Sequence, residues 1–132
     1  MDRSSGILLP VSALPGPCGI GDLGADARDF IDFLAAAGQR YWQILPLNPP
    51  DGAHSPYLSA STFAGSTDLL SPEPFVARGA LTADEVRAID WGEDPMRVDY
   101  DRVHAGRTAL WDAAFARERD TAAPALRAAL AA

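Results

Sequence analysis

The sequence predicts an α/β fold with parallel strands, because two short apolar runs flank an amphipathic helical segment. The runs are Gly6–Val11 and Tyr41–Leu47, and the segment between them is Leu23–Ala37. A strand, a helix and a second strand in about this length form a βαβ unit. We therefore expect the two strands to be parallel, with the right-handed crossover that such units nearly always have.

The first apolar run, GILLPV at Gly6–Val11, is short and bounded by turn residues. This pattern is typical of a strand that is buried on both faces. Pro10 weakens pairing towards the end of the run because proline has no N–H to donate. The next segment, SALPGPCGIGDLG, is rich in glycine and proline, and it therefore predicts a loop.

The segment Leu23–Ala37 has the clearest helical periodicity in the chain. Its charged residues occupy one face, and its apolar residues recur at helical spacing on the other. The apolar set comprises Leu23, Ala27, Phe30, Ile31, Leu34 and Ala37. Asp22 is a candidate N-cap, since its carboxylate can accept from the first backbone N–H groups. Gly38 can end the helix in a left-handed conformation.

The second apolar run, YWQILPL at Tyr41–Leu47, predicts another buried strand. The residues that follow it, Asn48–Ser66, include prolines, a histidine, a tyrosine and a row of hydroxyls. In parallel α/β folds, ligands bind beyond the carboxyl ends of the strands. The sequence therefore places candidate binding groups in this segment.

The pattern becomes helical after Ser71. Thr82 and Glu85 form a predicted capping box for a short helix. A long helix is expected from Asp101 to about Arg119. Its inward face is predicted to comprise Val103, Leu110 and Ala114, with Trp111 and Phe115 as further candidates. An alanine-rich tail follows and is interrupted by Pro124.

Composition and charge exclude several classes of function. The 132 residues carry a formal charge of −7, from 18 acidic and 11 basic residues, and a negative surface repels the phosphates of nucleic acid. The single cysteine, Cys18, excludes an internal disulfide, and no CxxC pair or Cys/His cluster predicts a metal site. The first apolar run is too short for a signal sequence or a membrane span. We expect a cytoplasmic protein without a nucleic-acid or membrane partner.

A glycine motif, GIGDLG at Gly19–Gly24, matches the dinucleotide fingerprint G-x-G-x-x-G and precedes a helix. However, two prolines separate it from the first strand, and Asp22 would place a carboxylate near a pyrophosphate. The second strand also ends without an acid for a ribose. We therefore predict no nucleotide and no other organic cofactor. His54 and His104 lack a neighbouring nucleophile pattern and are not predicted to be catalytic.

The segment HSPY at His54–Tyr57 is a more specific signal. A proline restrains the tyrosine, and three hydroxyls follow within five residues. They belong to Ser59, Ser61 and Thr62. An aromatic ring beside fixed hydroxyls suits a sugar, whose C–H face packs on the ring while its hydroxyls exchange hydrogen bonds. Alternatively, Tyr57 and Phe63 pin the loop to the protein and the hydroxyls bond to turn backbone. The residues alone leave both interpretations open.

Several short motifs, GILLP, LPG, GIGDLG, GQRYWQ, LPL, SPY and FAG, occur in an order and spacing that resemble a known family. The chain resembles the N-terminus of the 4-α-glucanotransferases, the amylomaltase or disproportionating-enzyme family of the α-amylase clan. The resemblance is strong over about the first 70 residues and looser through ARGALT and VDYDRV.

This resemblance implies the N-terminal part of a (β/α)8 TIM barrel with the start of an inserted helical subdomain. It implies transfer of a segment of an α-1,4-glucan to the 4-hydroxyl of glucose or another glucan. The configuration is retained through a carboxylate nucleophile and a second carboxylic acid. Tyr57 would lie beside the sugar ring at the cleavage point, and Ser55 would help to line that subsite. Neither a metal nor an organic cofactor is implied.

The family's catalytic carboxylates come from later strands, so the resemblance implies no catalytic residue in this chain. A complete barrel needs about 250 residues. We expect residues 1–70 to form the first two β/α units and residues 71–132 to belong to the helical insertion, truncated. GSTDLL replaces the Gly-Asn-Pro that commonly follows FAG, and Gly52 stands where some members carry a tyrosine of a secondary glucan site. A non-catalytic α-glucan-binding module and a truncated gene product without activity are the alternatives.

Overall fold

The computed structural model describes residues 3–59, 61–94 and 96–119. Within these ranges lie two short strands, β1 (Gly6–Leu8) and β2 (Tyr41–Gln43). The same ranges contain four α-helices, which are α1 (Ala25–Ala36), α2 (Glu73–Ala77), α3 (Ala83–Arg87) and α4 (Tyr100–Glu118). Single 3-10 turns lie at Val11–Ala13 and Thr67–Leu69.

The two strands pair in parallel, as predicted. Ile7 lies opposite Trp42 in the register, and Gly6 lies opposite Tyr41. The ladder continues past β1, because the Leu9 N–H donates to the Gln43 carbonyl at 3.0 Å. A Cβ on Gly6 would lie 2.5 Å from the Tyr41 carbonyl oxygen, so the close approach of the two strands requires glycine there.

Both strands are shorter and more exposed than predicted. The expected ranges Gly6–Val11 and Tyr41–Leu47 each give only three strand residues, and Leu8 is 57% exposed. Pro10 and Pro46 lack the N–H groups that a longer ladder would use. The prediction of burial on both faces is wrong for the described residues, because all three residues of β1 are exposed and only Trp42 of β2 is half-buried.

Helix α1 begins two residues later than predicted, with Gly24 at its N-cap. The prediction that Asp22 is the N-cap is therefore wrong. Its Oδ1 instead accepts a hydrogen bond of 2.9 Å from the Gly24 N–H, just before the helix. The predicted C-terminus is confirmed, since Gly38 has φ of +71°. The Gly38 N–H donates to Ala35 and the Gln39 N–H to Leu34, which is the Schellman pattern.

One face of α1 packs on the sheet. Leu34 is buried, and the Phe30 ring meets the Trp42 ring edge-on with centroids 5.1 Å apart. The Trp42 indole N–H donates to the Leu9 carbonyl at 2.8 Å, which ties the ring to the end of β1. Ile31, which we expected on the inward face, is 51% exposed. The strip of α1 that packs is therefore narrower than the apolar periodicity predicted.

The later helices pack around a separate small core. Its buried members are Ala80, Leu81, Leu110 and Ala114. The predicted capping box at Thr82 and Glu85 is confirmed, with each side chain bonding to the other residue's backbone N–H. Val103 is buried as predicted, whereas Phe115 is 54% exposed, so its predicted inward position is wrong. The Trp111 indole is half-buried and donates to the Thr67 carbonyl at 3.1 Å.

A buried ion pair joins α4 to the loop that follows β1. The side chain of Arg107 is fully buried, and its Nη2 donates to Asp22 Oδ2 at 3.0 Å. Its Nη1 donates to the Leu70 carbonyl. Gly106, the preceding residue, lets Ile89 pack closely on α4, because a Cβ there would lie 2.6 Å from the Ile89 side chain. The Asp22 carboxylate thus contacts both the start of α1 and the middle of α4.

No helix among the described residues is long and apolar enough to cross a bilayer. The predicted tail with Pro124 lies outside the described residues. The predicted division of the chain at residue 70 and the cytoplasmic location stay predictions.

The capping box predicts a response to acid. The pKa of the Glu85 carboxyl is lowered to about 2, chiefly because the Arg117 guanidinium donates to it and also because Thr82 does. A carboxyl with a lowered pKa stabilises the fold above its unfolded value of 4.5, and this stability is lost as the pH falls towards about 2. We therefore expect Glu85→Gln to lower the free energy of unfolding more at about pH 6 than at about pH 3.

Urea titrations of both proteins at the two pH values would measure this difference. An equal effect of Glu85→Gln at both would contradict the prediction.

Candidate functional site

The candidate site is the irregular segment that leaves the carboxyl end of β2. We call residues 48–59 and 61–66 the β2 loop. Two backbone hydrogen bonds cross it, from the Ser66 N–H to the Leu47 carbonyl at 2.7 Å and from the Asp51 N–H to the Leu58 carbonyl at 2.9 Å. The first closes the base of the loop. The second joins the incoming limb, residues 48–51, to the returning limb, residues 58, 59 and 61–66, near the tip. Residues 52–57, which include both predicted sugar contacts, form that tip.

The hydroxyls of the loop largely serve its own backbone. The Ser59 hydroxyl donates to the Pro49 carbonyl at 2.7 Å and accepts from the Ser61 N–H at 3.2 Å. Ser61 Oγ accepts from the Ala64 N–H at 3.2 Å. Two of the three hydroxyls that we considered as sugar donors are therefore engaged in turns, as the alternative interpretation expects.

Tyr57 and Ser55 lie together at the tip. Ser55 Oγ accepts from the Tyr57 N–H at 3.4 Å, a long contact that places the hydroxyl beside the tyrosine backbone. The Tyr57 side chain is 73% exposed, and Phe63 is 99% exposed. Neither ring pins the loop to the described part of the chain. The ring of Tyr57 is accessible to a ligand, and its role stays a prediction.

His54 holds the tip against α4, which the sequence did not indicate. Its ring stacks on the ring of Tyr100 with centroids 4.4 Å apart and an angle of 8° between the planes. The backbone N–H of His54 donates to the Asp51 carbonyl at 2.9 Å, and the φ of His54 is +56°, which is uncommon for a residue with a side chain. His104, the other histidine, lies 3.2 Å from Asp68 through Nδ1. Both histidines thus contact protein groups.

A cavity of about 270 Å³ lies beneath the β2 loop. Its lining is mainly apolar and includes Val11, Ile20 and Leu47, with Asn48, His54 and Tyr100 as polar or aromatic members. Val11 and Ile20 come from the segment after β1, and Leu47, Asn48 and His54 from the segment after β2, while Tyr100 belongs to α4. The position agrees with the location at which ligands bind in parallel α/β folds.

The glycines of GIGDLG serve packing. A Cβ on Gly21 would lie 2.2 Å from the Val11 carbonyl oxygen, and one on Gly24 would lie 2.5 Å from Ser71 Oγ. The chain approaches itself so closely at both positions that a side chain would clash there. Among the described residues, no group of three His, Cys, Asp or Glu side chains is placed to hold a metal ion.

Comparison with known proteins gives consistent matches. The family model described as 4-alpha-glucanotransferase matches residues 9–132. A 4-alpha-glucanotransferase from Thermus thermophilus is 43% identical over 132 residues, which are 100% of this chain and 25% of that protein. One from Streptococcus pneumoniae serotype 4 is 44% identical over 115 residues, which are 87% of this chain and 23% of that protein.

A solved structure is also similar. The amylomaltase from Streptococcus agalactiae, in complex with acarbose, superimposes with a TM-score of 0.88 and 36% identity. The match covers 96% of this chain and 25% of that chain. The chain therefore spans about a quarter of the length of the relatives that it matches.

Proposed function

Because the chain belongs to the 4-alpha-glucanotransferase family, we propose that it is part of an enzyme that transfers segments of α-1,4-glucans. The acceptor is the 4-hydroxyl of glucose or of another glucan. The match of the family model over residues 9–132 carries this proposal, since it includes the whole β2 loop. The substrates are maltooligosaccharides and the α-1,4-linked chains of starch or glycogen.

We further propose that β1, α1 and β2 are the first elements of a (β/α)8 barrel. Residues 1–70 then form two β/α units, and residues 71–132 begin an inserted helical subdomain. The parallel register of β1 and β2 supports this proposal, as does the helical character of the described residues after Ser71. The cavity and the β2 loop would lie at the catalytic face of the barrel, where the loops after the strands carry the site.

Within this face, Tyr57 stacks on the sugar at the cleavage point and Ser55 lines the same subsite. The exposure of the Tyr57 ring and its place at the loop tip support this role. The nucleophile and the acid of the retaining reaction would come from other segments of the barrel. Neither an organic cofactor nor a metal takes part in the proposed reaction.

A chimera tests the proposal. Residues 1–132 of this chain replace the matching segment of the Thermus thermophilus relative, and the product is incubated with maltotriose. We expect glucose and longer maltooligosaccharides to form, because the segment would supply a working sugar subsite. A folded chimera that binds maltooligosaccharides but transfers none would favour the non-catalytic binding module. The unaltered relative serves as the control.

The 132-residue chain alone is expected to release no glucose from maltotriose. Retaining transfer needs a nucleophile and an acid about 5 Å apart, and the family's pair matches no residue of this chain. Chromatography of the reaction mixture after prolonged incubation is the measurement. Turnover by the pure chain would show that the active site has been placed wrongly.

A further inference from the structure

We propose that Asn48 is a positioning residue, whose side-chain amide holds the β2 loop in the shape that presents Tyr57 and Ser55. The role in sugar transfer rests on the function proposed above. Asn48 is half-buried, at the base of the loop and in the lining of the cavity beneath it. It lies nine positions before Tyr57 and does not belong to the HSPY segment.

The amide of Asn48 reaches the returning limb of the loop. Its Nδ2 lies 2.9 Å from the Ser61 carbonyl oxygen, 2.6 Å from that of Thr62 and 3.2 Å from that of Ala64. A neutral side-chain amide carries two N–H donors. Three backbone carbonyls therefore converge on two hydrogens of one side chain.

The sequence explains why a side chain is needed here. The chain enters the loop through PLNPP, residues 46–50, and three of these five residues are prolines that lack a backbone N–H. Backbone pairing between the limbs therefore has few donors at this level. The Asn48 amide supplies donors that the prolines cannot.

The bonds of Asn48 determine how the tip is held. The tip is fixed on one side by the stacking of His54 on Tyr100 and on the other by the connection between the two limbs. Without the amide, the limbs at this level keep the backbone bond between Ser66 and Leu47 and the hydroxyl bond from Ser59 to Pro49. We expect the returning limb to move more freely, and Tyr57 with it.

Hydrogen–deuterium exchange tests the contact itself. Asn48→Ala and Asn48→Asp are compared with the unaltered 132-residue chain and with Gln39→Ala. Gln39 is a suitable control because its amide also points at a backbone carbonyl, that of Ala37, at the end of α1. We expect faster exchange in residues 51–66 of both Asn48 variants only. The aspartate variant should exchange at least as fast as alanine, because its oxygens would face three carbonyl oxygens. Unchanged exchange in both Asn48 variants would overturn the proposal.

A double-mutant cycle in the chimera tests the positioning role. Asn48→Ala should lower kcat/KM for transfer about fivefold, the size expected for one lost hydrogen bond. If Asn48 acts through Tyr57, then adding Asn48→Ala to Tyr57→Ala should cost little more. Losses that multiply in the double variant would overturn the positioning role. Normal kinetics of Tyr57→Ala would instead overturn the proposed sugar contact, and the exchange rates would still decide whether Asn48 holds the loop.

Discussion

Replacing Asp22 by alanine is expected to lower the free energy of unfolding by about 3–5 kcal/mol, because it leaves Arg107 buried without its charged partner. The side chain of Arg107 is 0% exposed and that of Asp22 is 10% exposed. An ion pair so far removed from water is costly to break from one side, since the remaining charge cannot be solvated. Urea denaturation of the 132-residue chain measures the change.

The exposed ion pair between Arg28 and Glu73 provides the control. Its distance is 2.7 Å, but the side chains are 58% and 53% exposed, and pairs of this kind contribute about 0–1 kcal/mol. Glu73→Ala should therefore change stability far less than Asp22→Ala. Asp22→Asn separates charge from shape, because it keeps an oxygen that can accept from the Gly24 N–H. It should destabilise the chain, though less than alanine does.

The reactivity of the Cys18 thiol gives a second measurement of the loss of the ion pair between Asp22 and Arg107. Its thiol is buried, and burial raises its pKa, although the positive charge of Arg107 opposes the shift. A buried thiol with a raised pKa reacts slowly with alkylating reagents. Cys18 should react faster in Asp22→Ala than in Glu73→Ala, both because the loop after β1 loosens and because the negative charge of Asp22, which also raises the pKa of Cys18, is lost. Equal stability and equal reactivity of these two variants would contradict an anchoring role for the buried pair.

The parts of the fold that could be predicted depend on local chemistry. Gly38 closes α1 through its backbone conformation, and the capping box of Thr82 and Glu85 needs only residues three apart. The parallel pairing could be predicted because a helical segment between two short strands is typical of a βαβ unit. Burial of the strands could not be predicted in this way, because it depends on which elements cover them.

The burial of Arg107 also could not be predicted from local sequence patterns. Arginine is almost never fully buried unless it is paired, and the partner, Asp22, is 85 positions away in the sequence. The periodicity of α4 indicated that positions near Val103 and Leu110 face inward, but not that a charged side chain lies between them. The local sequence instead relates Asp22 to the feature nearest to it, the start of α1.

The candidate site could likewise be predicted only in part. Its location after β2 followed from a general property of parallel sheets. The hydroxyls of Ser59 and Ser61 were ambiguous, because serine side chains bond readily to nearby backbone as well as to ligands. The structure shows them bonded to backbone. The contact of His54 with Tyr100 joins residues 46 positions apart, and no local pattern indicates it.

Tyr57→Ala in the chimera is expected to reduce kcat/KM for glucan transfer at least about tenfold. Aromatic contacts contribute about 0.5–1.5 kcal/mol beyond the area that they bury. Burial of the sugar face adds to this, and one decade in rate corresponds to about 1.36 kcal/mol. Tyr57→Phe should cost less, because it keeps the ring that is proposed to pack on the sugar and removes only the hydroxyl.

Phe63→Ala is the matched control for this experiment. Phe63 is an aromatic residue of the same loop and is 99% exposed, and the resemblance gives it no contact with the sugar. Its removal should leave the kinetics close to those of the unaltered chimera. A comparable loss in Phe63→Ala and Tyr57→Ala would point to a general effect of apolar surface on the loop.

The thermal stability of Tyr57→Ala separates a sugar contact from a structural role. Because 73% of the side chain is exposed, its removal should change stability by no more than about 0.5 kcal/mol, as is usual for surface substitutions. A ring that pinned the loop would behave in the opposite way, lowering Tm while kcat/KM of the folded protein stayed the same. Measuring Tm and kcat/KM on all three variants therefore decides between the two interpretations of the HSPY segment. Unchanged kinetics in folded Tyr57→Ala would remove Tyr57 from the sugar subsite.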